Sequence, residues 1–126
     1  MISHIHSTTI AVSNQDAALD FYVNTLGCTV ATDQMMGPDM RFLTVAFPGG
    51  GAELVLAHPS WAPKNATPGG QTGVSFITND IDATYATLTE RGVTFTEPIQ
   101  TMPWGDRATW FNDPDGNQFF LIEPRQ

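Results

Sequence analysis

Internal repetition constrains this chain more than any single motif. Gly27 and Gly92, each closing a helix-like stretch, lie 65 residues apart. The same offset matches Val12 with Ile77, Asn14 with Asn79, Ala18 with Ala83, Thr44 with Thr109, Gly51 with Gly116, Leu56 with Leu121 and Pro59 with Pro124. These coincidences fall at equivalent caps, turns and strand positions, so the chain reads as one supersecondary unit used twice.

Each copy has the same grammar. Residues 5–12 are rich in β-branched side chains and read as a strand, with Ser13 and Asn14 as candidate helix caps. Ala18, Phe21, Tyr22 and Leu26 then form one apolar helix face that Gly27 ends. In the second copy Val74, Phe76 and Ile77 supply the strand, Asn79 or Asp80 the cap, Ile81, Tyr85 and Leu88 the helix face, and Gly92 the stop. Three strand-like runs follow each helix, at 29–35, 41–47 and 52–58, then at 93–97, 107–112 and 117–123. Gly49 to Gly51 and the Asp113-Pro114-Asp115-Gly116 turn join the last two strands of their halves. The expectation is an α+β fold, a single domain over 1–126 made of two tandem βαβββ units, 1–59 and 70–126, joined by a Pro- and Gly-rich linker at 60–69.

Composition narrows the function classes. With 5 Lys and Arg against 13 Asp and Glu, the net charge of −8 repels phosphate backbones and anionic lipid, so neither nucleic acid nor a membrane is an expected partner. Residues 1–7 show no basic region followed by an apolar core, and no stretch is long enough to cross a bilayer; the expected location is cytoplasmic. Cys28 is the single cysteine, which excludes an internal disulfide and a multi-thiolate zinc site, and it reads as a packed core thiol.

The segments Thr9-Ile10-Ala11-Val12-Ser13, 18–27, Asn79-Asp80-Ile81-Asp82-Ala83 and above all Asp113-Pro114-Asp115-Gly116-Asn117 resemble the vicinal oxygen chelate superfamily of glyoxalases, extradiol dioxygenases and bleomycin-resistance proteins. The resemblance implies a cup-shaped mixed sheet, a ligand site inside the cup and a homodimer. It also implies one divalent metal held by His or Glu from the first and last strands of each unit. Here those positions fall on Ser7, on Gly73 (or Thr72 at the strict offset), on Val55 and on Phe120. A bulge could bring His6 to the place of Ser7, and Glu53 shares a strand face with Val55, but two ligands are fewer than a catalytic metal takes from protein. No metal or other cofactor is therefore expected.

The remaining candidates follow from side-chain chemistry. Glu53 is either a cup carboxylate able to act as a base or a solvated strand residue. Arg107 could anchor an anionic or carbonyl-bearing ligand through its fork of donors, or pair with Asp106 or another acid. Trp104, in a Pro-Gly loop, offers a flat surface to a planar ligand, whereas Trp110 reads as core. Trp61 in the linker is left open between a cover for the cup, a dimer seam and simple packing. Phe42, matched with Arg107 by the 65-residue offset, suggests an apolar and a polar half of one cavity. His4, His6 and His58 read as surface or strand-end histidines. The candidate ligand-binding residues of the first half are thus Ser7, Thr9, Phe42 and Val55; those of the second are Gly73, Trp104, Arg107 and Phe120. The leading expectation is a metal-free cup that binds a small hydrophobic or aromatic molecule. A metal-dependent lyase or dioxygenase, and a metal-free enzyme with Glu53 as base and Arg107 as electrostatic stabiliser, are the alternatives.

Overall fold

The computed structural model describes residues 1–125 and divides the chain into two compact units, Met1–Pro68 and the part from Gly69 onward. The boundary falls inside the segment expected to be the linker. The first unit runs β1 (Ser7–Ala11), α1 (Gln15–Asp20), a π-helical turn (Phe21–Thr25), β2 (Thr29–Met35), β3 (Arg41–Ala46) and β4 (Glu53–Ala57). Its mixed sheet has the order β1-β4-β3-β2, with β1 parallel to β4 and the rest antiparallel. The second runs β5 (Gly70–Ile77), α2 (Ile81–Glu90), β6 (Thr94–Phe95), β7 (Gln100–Thr101), β8 (Arg107–Asn112) and β9 (Asn117–Glu123), in the order β5-β9-β8-β6 with β7 also on β8. The run expected as one strand over 93–97 is short, and a second piece, β7, pairs further along β8. Pro98, between the two pieces, has no N–H to give to the ladder.

The caps settle which residues start the helices. Asn14 accepts from Ala17 N–H at 2.9 Å and Asp80 from Ala83 N–H at 3.0 Å, so the equivalent caps are 66 residues apart, one more than the glycines suggested. The π-helical turn absorbs the difference. Leu26 N–H bonds back five residues to Phe21, and Cys28 N–H reaches six residues back to Tyr22, whereas Val93 N–H in the second unit reaches only five, to Leu88. One extra residue thus sits in the first helix, between the equivalent buried pairs Tyr22/Leu88 and Cys28/Val93.

Each sheet buries the face beneath its helix. In the first unit Ile10, Leu43, Val45, Leu54 and Leu56 are all almost fully buried on that face, with Ala18 and Tyr22 buried on the helical segment. In the second, Phe111, Phe119 and Leu121 lie beneath α2 with Ile81 and Leu88, and Phe76, Phe111 and Phe119 form an aromatic cluster with centroids 4.8 to 6.0 Å apart. Among the described residues no helix is long and apolar enough to cross a membrane.

Candidate functional site

Side chains alternate across a strand, so residues directly opposite in the ladder share a face. Arg41 bonds Asp16 of α1 at 2.7 Å and therefore marks the helix-side face of the first sheet. Thr44 and its partner Val55 point the other way, as do Thr9 (opposite Val55), Ser7 (opposite Glu53) and Phe42 (opposite Gln34). The open face of the first sheet, turned away from the helix, thus gathers Ser7, Thr9, Phe42, Glu53 and Val55. Trp61 leans on it, its ring 6.3 Å from that of Phe42. Thr44 Oγ1 and Trp61 Nε1 are buried with no hydrogen-bond partner among the described residues. Glu53 is half-buried at the start of β4 and forms no ion pair among the described residues.

In the second unit the same test separates the candidates. Arg107 donates two hydrogen bonds to Asp82 of α2, at 2.7 and 3.0 Å, and stands opposite Glu123, whose carboxylate accepts from Ile81 N–H. Those bonds from Arg107 hold the Asp82 carboxyl below its ordinary range. Arg107 therefore lies on the helix side, and the residue it repeats is Arg41, 66 positions earlier, not Phe42; Asp82 likewise repeats Asp16. Trp104 is half exposed in the loop before β8, where its indole N–H bonds Asp106 at 3.1 Å and its carbonyl accepts from the Arg125 guanidinium. Neither residue joins Phe120.

What does join Phe120 is Trp110, its direct partner across β8 and β9, with ring centroids 4.6 Å apart and planes tilted by 43°. Beside them lies a pocket of about 130 Å³ lined by Gln71, Gly73, Val74, Ser75, Trp110, Gln118 and Phe120. A bulge in β5 shapes it. Pairing with β9 is regular at Gln71 and resumes at Ser75; between them Thr72 Oγ1 donates to Gln118 O at 2.8 Å and accepts from Val74 N–H, and Gly73 takes φ +73°. The sequence reading put Trp110 in the core and missed Gln71, Ser75 and Gln118. The alternation of β9 carried the signal, with Gln118 and Phe120 facing opposite to Phe119 and Leu121.

A second, larger depression of about 600 Å³ lies in the first unit, lined by Gln15, Met35, Pro38, Asp39, Arg41, His58, Ser60 and Trp61. None of the candidates on the open face except the contact through Trp61 touches it. Its one cation, Arg41, is committed to Asp16 and Asp33, and hydrogen bonds from Arg41 hold the Asp33 carboxyl below its usual value. His58 Nδ1 accepts from Ser60 N–H at 3.1 Å. We therefore place the candidate site on the open faces.

With this geometry in place the comparisons with known proteins are direct. The model of the glyoxalase/bleomycin resistance protein/dioxygenase superfamily matches residues 4–121. The chain belongs to this superfamily. A superfamily member from Sphaerobacter thermophilus of known crystal structure is 59% identical over 98% of both chains, with a TM-score of 0.92. TnmS3 from Streptomyces sp. CB03234, described as an antibiotic binding protein, is 39% identical over 98% of this chain and 97% of its own, with a TM-score of 0.85. The uncharacterized protein YetH of Bacillus subtilis is 32% identical over 98% of this chain and its own full length.

At the positions to which the resemblance assigns the superfamily's metal, the side chains present do not fit one. Ser7 and Val55 hold those positions in the first unit, Gly73 and Phe120 in the second, and only the serine hydroxyl carries a donor atom, a weak one. His6 does not replace Ser7: the β1–β4 register is unbroken from Ser7 to Ala11, so Ser7 keeps its place in the ladder and His6 precedes the strand, exposed. Cys28 offers no nucleophile, because burial pushes its thiol up to about 12. Native protein at about pH 8 is accordingly expected to resist iodoacetamide at Cys28 and to be alkylated there once unfolded in urea, as intact-mass measurement would record.

Proposed function

We propose that this superfamily member is a small-molecule binding protein that holds a hydrophobic or aromatic ligand without a metal, with sequestration as its simplest role. The carrying observation is the Trp110–Phe120 pair beside the Gly73 pocket, a recess with apolar walls from Val74, Trp110 and Phe120 and amide and hydroxyl groups from Gln71, Gln118 and Ser75. TnmS3, described as antibiotic binding and alike over nearly the whole chain, supports binding as the activity. On the first sheet, Phe42 and Val55 offer apolar contact and Ser7 and Thr9 offer hydroxyls. A buried N–H or hydroxyl without a partner is costly, so Trp61 Nε1 and Thr44 Oγ1 mark polar positions that a ligand or water would satisfy. The working state in this reading is a cytoplasmic homodimer.

The test is a titration of chelator-treated protein with a neutral fluorescent probe such as N-phenyl-1-naphthylamine. Saturable binding that is unchanged by added divalent cations is expected. A divalent ion that co-purifies stoichiometrically and is lost in Glu53→Gln would instead favour a metal-dependent lyase or dioxygenase. Turnover that survives chelation and vanishes in Glu53→Gln would favour a metal-free enzyme.

A further inference from the structure

We infer that the pocket on the open face of the second sheet is a slot for one uncharged aromatic ring of the ligand, opened by the bulge at Gly73 beside Trp110 and Phe120. This rests on the binding reading and specifies what that site takes.

Three features carry it. First, the recess is built into the strand: the bulge between Gln71 and Ser75 is bridged by the Thr72 hydroxyl, and a Cβ at Gly73 would meet nothing within 4 Å, so the absent side chain leaves open space beside Phe120. Second, its volume of about 130 Å³ suits one ring; an engineered apolar cavity of about 150 Å³ takes up benzene, whereas whole drug-sized ligands need about 300 Å³ or more. Third, no lining side chain is ionisable, in a chain whose net charge is −8. A charged group entering there would lose water and gain no counter-ion. Trp110 and Phe120 supply the apolar walls. Gln71 and Gln118 face each other across β5 and β9, and each amide both donates and accepts, so they suit hydroxyl or carbonyl substituents on the ring. Gln118 Nε2 already donates to Thr96 Oγ1 at 3.0 Å, which orients its amide.

The experiment is calorimetric titration of the full chain, at one ionic strength, with three probes on one frame: 2-naphthol, 2-naphthoate and (2-naphthylmethyl)trimethylammonium. The expected result is that 2-naphthol binds about tenfold or more tighter than either ion. Ser75→Leu, at an exposed position lining the slot, is expected to weaken 2-naphthol by about tenfold with its unfolding midpoint unchanged; Trp110→Ala is expected to do the same to binding. Equal affinity for all three probes, or a preference for the cation, overturns the slot and leaves the binding reading standing, as does a Ser75→Leu protein that binds like the parent. Failure of all three probes, and of the neutral probe above, overturns both.

Discussion

Phe119→Ala is expected to cost about 3–5 kcal/mol of stability, and its neighbour Phe120→Ala only about 1 kcal/mol. The two side chains differ in the face they occupy. Phe119 is fully buried beneath α2, with the rings of Phe76 and Phe111 at 4.8 and 5.6 Å, so truncation leaves a cavity in the aromatic cluster of the second unit. Phe120 is half-buried on the open face and lines the pocket with Trp110, so its loss removes contact to a ligand more than contact to the core. Phe120→Ala is therefore expected to weaken the neutral probe by about tenfold, a loss that Phe119→Ala does not share under conditions where it stays folded. Urea unfolding followed by circular dichroism, with the titration repeated on each variant, checks both halves; the reverse order of stabilities would contradict the assignment of faces.

Asp113→Ala is expected to cost about 2–4 kcal/mol, an unusual penalty for a turn residue. Asp113 is 6% exposed; one carboxylate oxygen accepts from the N–H groups of Asp115 and Asn117, both at 2.9 Å, and the other from Asn117 Nδ2 at 2.8 Å. Asn117, also buried, passes the connection on by accepting from Gly69 N–H at 2.8 Å, so the turn ties the start of β9 to the start of β5. Removing the carboxylate strands the buried N–H and Nδ2 donors of Asn117. Asp113→Asn keeps an acceptor for the backbone N–H groups but sets an amide against Asn117 Nδ2, and is expected to be milder. Thermal unfolding of both variants against the parent measures the difference.

Much of the architecture was legible because apolar periodicity and glycine stops depend on local sequence. The two βαβββ units follow from Ala18, Tyr22, Ile81, Leu88 and the paired glycines. The superfamily followed from the Asp113–Asn117 turn and its context. Register was less legible. The extra residue in the π-helical turn changes hydrogen bonding at Phe21 to Cys28 without disturbing the apolar face, so matching Gly27 to Gly92 carried a one-residue error into both first strands and both helix caps. Beyond that turn the offset is 65 at Cys28 and Val93 but 66 again at Arg41 and Arg107, a second one-residue change in the stretch that holds the β2 bulge and the broken β6 and β7 pair. In a strand such a slip exchanges the two faces, which is why Arg107 was set against Phe42 and into the cavity when it repeats Arg41 beside the helix. Ser7, Thr9, Glu53 and Val55 needed only the two-residue alternation of their own strands, and they do share a face. The bulge at Gly73 depends on one threonine hydroxyl replacing ladder bonds, an arrangement that spacing does not reveal.

The most direct measurement of where ligand binds is a proton–nitrogen NMR titration of chelator-treated protein with 2-naphthol. The account predicts that shifts concentrate at the Trp110 indole and at the backbone amides of Gly73, Ser75, Gln118 and Phe120. Shifts gathered instead around Asp39, Arg41 and His58, or binding that begins only when a divalent cation is added, would contradict it.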